Sequence, residues 1–525
     1  MQSGNRHFLL KPIMPGLKKA SIVLVVLSIM NSIAGYLREI VVAASFGAGS
    51  VTDAFFSSYA FVMTVNDLLI TAALTASIIP SLGHFGEQLK KQGQLLSAAL
   101  TVVISASTLL ALLLSTLFPL IIAELVPGLG EAELTSATFH GRWLVWLLPA
   151  YSLYFLFSLT LNAGHRFIAP GLAWLGINVI FTIIVVSTAD QLGDKSLLVG
   201  VMTGPMLMAA LLGITVMRRI PIKPSLVSLS AAPVRHAWKL ARPVIMSLGV
   251  GSSLGLLMIS HLAVRGYGSF NGTGSVSALT YAFRIYEVPL TLAAHVAGTL
   301  ILPIMVKYYA DKDWDKIALL SRQLVFWGAM LLTPASMLIF FEAEILVRLL
   351  LERKNFTPDD SALTASALRG FAPAIVFEAV FVVYYRIFYA LHRPQIPIII
   401  SLISLTILFA ALQIQDTNST VESTSLTLSI SFLAASVAVF FFIHRIAEAD
   451  VLPDFREAIW LFLTGAGIAY VWHYLSTTGS TDLLLAMVRG ITLPFLFWGI
   501  LLWIFPEQRH RLMRFFHLKK SAEIA

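Results

Sequence analysis

The sequence predicts an all-α integral membrane protein with about fourteen transmembrane helices. Three observations support this fold class: the composition, the succession of apolar runs, and the distribution of Lys and Arg between those runs. Of the 525 residues, 57% are hydrophobic and only 12% are charged, and the mean hydropathy is +0.83. Soluble domains typically carry about 25% charged residues. So few charges would not keep a soluble fold of this length in solution, so lipid is the expected solvent.

The apolar runs are long enough to cross a bilayer, because about 20 helical residues span ~30 Å of hydrocarbon. Two long runs are divided by proline, one at Pro170 and the other at Pro394 and Pro397, which brings the count to fourteen. The predicted spans lie near residues 20–45, 53–81, 94–124, 138–163, 168–188, 195–217, 237–264, 274–306, 316–343, 365–390, 394–414, 424–445, 455–476 and 483–505.

The basic residues alternate between the predicted loops. The N-terminus, the even-numbered loops and the C-terminal tail contain Lys or Arg, and the ninth loop, 344–364, is an exception among the odd-numbered ones. Four odd-numbered loops contain neither residue, namely 46–52, 125–137, 415–423 and 477–482. This pattern predicts that both termini lie in the cytoplasm. It also accounts for the net charge of +8 without nucleic acid as a partner.

The longest basic loop, 218–242, contains three prolines and separates six spans from eight. We therefore predict an N-terminal six-helix lobe (1–217), a basic cytoplasmic linker (218–242), a C-terminal six-helix lobe (243–450), and two extra helices with a basic tail (451–525). The segments LNAGHRFIAP (161–170) and FYALHRPQIP (388–397) each end a span with His-Arg and begin the next with Pro. This echo fits the internal repeats of transporters, and equally two unrelated short hairpins.

Charged residues inside the predicted spans are candidates for a transport pathway, since an ionised side chain at the bilayer centre costs ~2.5–3.5 kcal/mol on insertion scales. Arg284 and Glu287 are three residues apart, so they share one helix face. Asp53 has two interpretations, a cavity residue or an N-cap of the second helix. Arg38 either faces a cavity or extends to the lipid headgroups. The full set is Arg38, Glu39, Asp53, Asp67, Arg142, Arg284, Glu287, Glu378, Arg386 and Arg489.

Several motifs of ATP-hydrolysing and catalytic proteins are absent from the sequence, and their absence limits the possible mechanisms. The sequence contains no G-x-x-x-x-G-K-[ST] loop, no H-E-x-x-H pair and no nucleophile elbow. It also contains no Cys, which removes disulfides and thiolate metal sites. We therefore expect a transporter rather than an enzyme, with no catalytic residues, metal or cofactor. Its driving force would be an ion gradient, the membrane potential or the gradient of the cargo.

Five segments carry distinctive motifs in a fixed order along the chain. They are LREIVVAASFGAGSVTDAFF (37–56), LNAGHRFIAPGLAWLGIN (161–178), GSVSALTYAFRIYEVPLTLAAHVAGTLILPI (274–304), VRLLLERKNFTPDDSALTASALRGF (347–371) and YRIFYALHRPQIP (385–397). In this order they resemble the MurJ (MviN) lipid II flippase family, part of the multidrug/oligosaccharidyl-lipid/polysaccharide exporter superfamily. The resemblance runs from the first predicted span to about the eleventh.

This resemblance implies two pseudo-symmetric lobes around a central cationic cavity, with transport by alternating access. By position, Arg38, Asp53, Arg284 and Glu287 match charged positions of the family's motifs and are the expected substrate-binding residues. The implied cargo is a polyprenyl-diphosphate-linked saccharide, either peptidoglycan lipid II or a related exopolysaccharide precursor. It would cross the bacterial cytoplasmic (inner) membrane, with membrane lipid as a second partner and a coupling ion as a further candidate.

Three segments depart from the family's pattern: Asn31-Ser32, residues 66–72 and residues 251–253. The family carries Arg at the first, an Arg-rich stretch with Glu-Gly at the second, and Gln at the third, so the cavity is expected to be less cationic here. Two other functions stay open. An ion-coupled exporter of small molecules or drugs would share the fold. A membrane-embedded glycosyltransferase or ligase would need catalytic acids in an outer loop, for which the segment 344–364 is the candidate.

Overall fold

The fold is helical throughout the part of the chain that the computed structural model describes. That part comprises residues 15–85, 88–222, 234–236, 238–239, 253–296, 305, 308–309, 311–391, 393, 395–415, 419–446, 464–465, 467–468, 471–472, 474 and 483–506. The all-α membrane fold class is therefore confirmed.

The helices are numbered here in chain order within the described residues. They are α1 (Pro15–Phe46), α2 (Ser50–Val65), α3 (Ala72–Phe85), α4 (Leu89–Leu125), α5 (Glu131–Leu144), α6 (Leu147–Ala163), α7 (Ile168–Leu192), α8 (Lys195–Met217), α9 (Ser253–Gly268), α10 (Ser275–Val296), α11 (Trp314–Phe341), α12 (Ala343–Leu351), α13 (Pro358–Phe371), α14 (Ala374–Ala390), α15 (Gln395–Gln413), α16 (Val421–Ile446) and α17 (Leu483–Ile504). A π-helical segment, Asn66–Thr71, joins α2 to α3.

The predicted spans correspond well to these helices. Within the described residues, nine helices are long and apolar enough to cross a membrane, and a bent pair, α13 with α14, raises the number to ten. Both proline divisions are confirmed, because α6 ends before Pro170 and α15 begins after Pro394. The thirteenth predicted span, 455–476, and the start of the seventh lie mainly outside the described residues, so the count of fourteen stays a prediction.

The chain divides into two compact units, and the four-part division made from the sequence stays a prediction beside them. The first unit comprises Met1–Gly47, Ala54–Glu124 and Glu131–Val250. The second comprises Ala48–Asp53, Leu125–Gly130 and Gly251–Ala525. The second unit thus contains two short segments from early in the chain.

In the first unit, α7 packs against both α1 and α8, while α6 packs against α8 and α3. Aromatic side chains fill the contact between α6 and α7. The ring centroids of Tyr154 and Phe155 lie 5.7 and 6.3 Å from that of Trp174. At these distances aromatic pairs add about 0.5–1.5 kcal/mol beyond their buried area. This packing fixes α7, which carries a partner of Arg38.

In the second unit, α16 is the central helix and packs against α13, α14 and α15. Hydroxyl groups make several of these contacts specific. Ser429 Oγ donates to Gly370 O at 2.7 Å, and Ser436 Oγ donates to Phe377 O at 2.9 Å. In lipid, an apolar helix surface packs as favourably against lipid tails as against another helix. Contacts between membrane helices therefore commonly use small and hydroxylated residues.

The tenth predicted span differs from its expected form. We predicted one span at 365–390, whereas the structure has two helices, α13 and α14, bent by 45° at a short break. The helix α13 begins earlier because Thr357 and Asp360 form a capping box and Pro358 occupies the first helical turn. Ala372 still has helical backbone angles (φ −54°, ψ −44°), and α13 ends there because the next residue, Pro373, has no N–H to continue the helical hydrogen bonds.

Gly370 allows α13 and α16 to approach closely. A Cβ atom at this position would overlap Ser425 Oγ and Glu422 O, and would lie 2.8 Å from Leu426 N. Two of these three atoms belong to the backbone of α16, which cannot move aside as a side-chain end can. The close approach also brings Gly370 O within reach of the Ser429 hydroxyl.

We expect Gly370→Ala to destabilise the protein by roughly 1–3 kcal/mol, the usual range for overpacking. The matched control is Gly328→Ala in α11, where no described atom lies within 4 Å of the added Cβ. There the change should be neutral or stabilise the helix by about 0.5–1 kcal/mol. The measurement is the melting temperature of each purified variant. Equal melting temperatures for the two variants would contradict the close packing of α13 on α16.

Candidate functional site

Arg38 is the charged centre of the first unit. It lies late in α1, with its guanidinium 2.7 Å from Glu39 Oε1 and 3.5 Å from Asn178 Oδ1 on α7. The rings of Tyr59 and Phe181 lie 6.0 and 5.4 Å from Arg38 Cζ, which is cation–π range. The Arg38 side chain is only 13% exposed. It therefore packs inside the unit and does not extend to the headgroups.

The Arg38–Glu39 pair neutralises itself within the unit. The Glu39 side chain is 5% exposed, so both charges are largely removed from water. Breaking a buried pair by removing one partner typically costs about 3–5 kcal/mol, because the other charge is left uncompensated. Glu39 therefore keeps Arg38 in place but also competes with any anion for its guanidinium.

Asp67 lies in the π-helical segment, near the middle of the span Ser50–His84. Asn66 Nδ2 donates to Asp67 Oδ1 at 3.0 Å and to Thr71 Oγ1 at 3.3 Å, and Thr71 Oγ1 donates to Asp67 Oδ1 at 3.3 Å. Asn66 is fully buried. Single π-helical turns inside α-helices occur frequently at functional sites. The segment thus places a carboxylate at membrane depth among neutral polar groups.

Arg284 and Glu287 lie on α10 in the second unit and pair with each other. Arg284 Nη1 is 3.1 Å from Glu287 Oε2, and the two side chains are 38% and 43% exposed. An exposed pair at this spacing contributes only about 0.2–0.5 kcal/mol to helix stability. That is too little to offset the cost of two charges in the predicted span 274–306. Their exposed surfaces therefore need water or a polar cargo beside them.

Glu378, on α14, is a further acidic group of the second unit and is 6% exposed. The hydroxyl of Tyr286, a fully buried residue on α10, donates to Glu378 Oε2. Tyr286 lies between Arg284 and Glu287 in sequence. The contact therefore fixes the rotation of α10 against α14 and with it the direction in which the Arg284–Glu287 pair points.

Asp53 is placed in the second unit, in the segment Ala48–Asp53. Its carboxylate is fully buried and caps the N-terminus of α10. Gly274 N donates to Asp53 Oδ2 at 2.6 Å, and Ser277 donates to Asp53 Oδ1 from N at 2.7 Å and from Oγ at 2.5 Å. Main-chain N–H groups in the first turn of a helix have no partner within the helix, and the helix dipole favours an anion there.

Gly274 is required for this cap. Its φ is +88°, in the left-handed region that other residues rarely adopt, and a Cβ atom would lie 2.6 Å from Ala48 O. The cap joins residues 221 positions apart in the chain. A local sequence pattern could therefore suggest that Asp53 caps a helix but could not identify α10 as that helix.

The four residues expected to bind substrate thus differ in their location and in their partners. The structure brings Arg284 and Glu287 together, places Asp53 at the start of the same helix, and places Arg38 in the first unit. Asp53 is engaged by backbone groups, which favours a structural role. The sequence identified Asp67 and Glu378 as charges within spans. Asn178 and Tyr286 lie in segments that carry the family resemblance, but the sequence did not identify them as the partners of Arg38 and Glu378.

We expect Asp53→Asn to lower stability by roughly 1–3 kcal/mol, since an amide oxygen cannot replace both carboxylate oxygens and a buried N–H loses its acceptor. The measurement is the melting temperature without any cargo. The matched control is Asp359→Asn, an exposed residue in the first turn of α13, which should melt like the wild type. An unchanged melting temperature together with lost transport would instead assign Asp53 to cargo binding.

The chain matches a known family over most of its length. The family model for the lipid II flippase MurJ covers residues 42–489. A probable lipid II flippase MurJ from Rhizobium meliloti is 24% identical over 442 residues, covering 82% of this chain and 77% of the relative. One from Aquifex aeolicus is 27% identical over 388 residues, covering 73% and 74% of the two chains. The lipid II flippase MurJ of Burkholderia cenocepacia is 26% identical, covering 71% and 73%.

Solved structures show the same fold. A lipid II flippase MurJ in an inward closed conformation aligns with a TM-score of 0.76 at 19% identity, over 92% of this chain and 99% of that one. An inward-facing multidrug resistance MATE transporter of the MOP superfamily aligns with a TM-score of 0.66 at 13% identity, over 81% and 98%. The family is one of transporters and not of enzymes, so a glycosyltransferase or ligase is not favoured. This multi-pass membrane protein belongs to the lipid II flippase MurJ family.

Proposed function

We propose that this protein moves a polyprenyl-diphosphate-linked saccharide across the cytoplasmic membrane by alternating access, with lipid II as the first candidate cargo. The observation that carries the proposal is the half-exposed Arg284–Glu287 pair on an otherwise well-buried helix. Guanidinium groups bind phosphate oxygens through two parallel hydrogen bonds, and this binding strengthens as water is excluded. Family membership supports the same class of cargo.

Arg284 is the proposed anion-binding group, and Glu287 is its proposed gate. When no cargo is bound, Glu287 neutralises the guanidinium at 3.1 Å. A diphosphate brings more charge than one carboxylate and would displace Glu287. The short Asp53 cap and the Tyr286–Glu378 contact keep the helix from rotating during this exchange. Arg38 would act in the first unit in the same manner, with Glu39 as its competing carboxylate.

We also propose the orientation of the protein in the membrane and its division into lobes. Basic residues in the even-numbered loops and in both terminal segments support cytoplasmic termini. The cargo diphosphate would start on that side. The proposed lobes are 1–217 and 243–450, with 218–242 as linker and 451–525 as an addition.

A related exopolysaccharide precursor is the second candidate cargo. It is favoured by the acidic Asp67 in the π-helical segment, among residues 66–72, where the resemblance leads one to expect basic residues. A less cationic site would suit a cargo with fewer negative charges. Either cargo would need a driving force, for which we propose a coupling ion or the membrane potential.

The cargo is tested by complementation of a strain depleted of its peptidoglycan flippase. Rescue by the wild-type chain supports lipid II. Failure to rescue, combined with loss of a surface polysaccharide when the gene is deleted in its own host, supports the second cargo. Failure without any loss of saccharide export would overturn both.

We expect Arg284→Ala to abolish transport while the protein remains inserted and expressed, because the cargo diphosphate loses its guanidinium partner. Exchanging the pair, Arg284→Glu with Glu287→Arg, should also fail, since it moves the cation by about 4.5 Å along the helix. A purely structural ion pair would tolerate that exchange. The control is Arg353→Ala, an exposed arginine beyond α12, which should keep full activity. Normal transport by Arg284→Ala would refute the assignment.

A further inference from the structure

We propose that Asn66, Asp67 and Thr71 form a sodium-binding site in the π-helical segment of the first unit. The proposal begins from three polar atoms that are mutually in contact at 3.0, 3.3 and 3.3 Å. They belong to one amide, one carboxylate and one hydroxyl group. Its role in coupling rests on the proposed transport function, whereas the binding itself does not.

The second, independent observation is the unsatisfied oxygen of Asn66. Asn66 is fully buried, and among the described residues its Oδ1 atom has no hydrogen-bond partner. Its Nδ2 atom contacts both Asp67 and Thr71, so the amide sits within the cluster. Rotating this amide by 180° exchanges its nitrogen and oxygen, and amide orientation follows whatever partners are present. The oxygen would then lie beside the oxygens of Asp67 and Thr71.

With the Asn66 amide rotated, three oxygens at this spacing would suit one cation of moderate size. An ion such as Ca²⁺ binds oxygens at about 2.3–2.6 Å, and Na⁺ has nearly the same radius. The observed separations of 3.0–3.3 Å between the polar atoms match oxygens that share such an ion. The site contains one carboxylate, so a single positive charge neutralises it. These features favour Na⁺ over a divalent cation.

The π-helical geometry can supply main-chain carbonyl ligands that a regular α-helix would not. Hydrogen bonds from i to i+5 widen the turn, and main-chain carbonyls at its ends leave the regular α-helical ladder. Sodium sites in membrane transporters commonly use carbonyls freed in this way together with side-chain oxygens. The segment lies within the span Ser50–His84, at a depth where a carboxylate needs a neutralising partner.

One buried side chain lies within electrostatic range of both the site and Arg38. Tyr151 on α6, fully buried in the first unit, interacts electrostatically with Arg38, Tyr59 and Asp67. The helix α6 packs directly on the π-helical segment. Tyr151 thus has Asp67, Arg38 and Tyr59 as electrostatic neighbours, and Glu39 is the partner of Arg38. Sodium at Asp67 would raise the local positive potential beside Arg38 and favour an anionic cargo there.

The test is equilibrium binding of radioactive Na⁺ to the full-length protein in detergent, with choline as the replacement cation. We expect the wild type to bind one Na⁺ and to melt at higher temperature as Na⁺ increases, as ligand linkage requires. Asp67→Asn should lose both effects, and Thr71→Val should weaken Na⁺ affinity at least several-fold. The control, Asp190→Asn, changes an exposed aspartate at the end of α7 and should bind like the wild type.

Absence of Na⁺ binding by the wild type would overturn the sodium site and leave the flippase proposal untouched. Unaltered Na⁺ binding by Asp67→Asn would overturn it as well. Conversely, failure to transport any lipid-linked saccharide would refute the proposed function while Na⁺ binding still stood. A melting shift that also occurs with K⁺ at equal strength would contradict the sodium assignment.

Discussion

The contact between the Asp53 carboxylate and the first turn of α10 fixes every charged group on that helix. A helix rises about 1.5 Å per residue, so Arg284 lies roughly 10 Å along the axis from the anchored Ser277. Tyr286 then locks the rotation of the helix through its hydrogen bond to Glu378. The Asp53 contact therefore sets the position of α10 along its axis, and the Tyr286–Glu378 contact sets its rotation about that axis. The Arg284–Glu287 pair is thus held by two buried contacts that do not involve it.

The charged groups within the described helices are compensated in different ways. The kind of compensation distinguishes charges that stabilise the fold from charges that are candidates for binding cargo. Asp53 is satisfied by backbone N–H groups, Glu378 by a phenol, and Arg38 by its neighbour Glu39. All three are largely buried, and disrupting them costs stability. Arg284 and Glu287 keep about two-fifths of their surface exposed. A pair so exposed contributes little to folding, and its presence within a predicted span supports the proposed passage of a charged solute.

The sequence predicted most of the fold because hydropathy and loop charge are local properties. The breaks after Ala163 and Ala390 followed from proline, and the early start of α13 could have been inferred from Thr357 and Asp360. The site was less predictable. The sequence identified the charged residues, but their partners depend on packing between distant segments. Tyr286 and Glu378 are 92 residues apart, and the π-helical geometry of Asn66–Thr71 has no known local signature.

The long sequence separation between Asp53 and the helix that it caps also has a consequence for the synthesis of the protein. Ribosomes add about 5–20 residues per second, so Gly274 emerges roughly 10–45 s after Asp53, given the 221 positions between them. Until then the Asp53 carboxylate lacks the Gly274 and Ser277 groups that donate to it in the folded protein. The nascent chain must keep that segment hydrated or shielded by the insertion machinery. Biogenesis, and not the finished fold, therefore sets the period in which this residue is most vulnerable to mispairing.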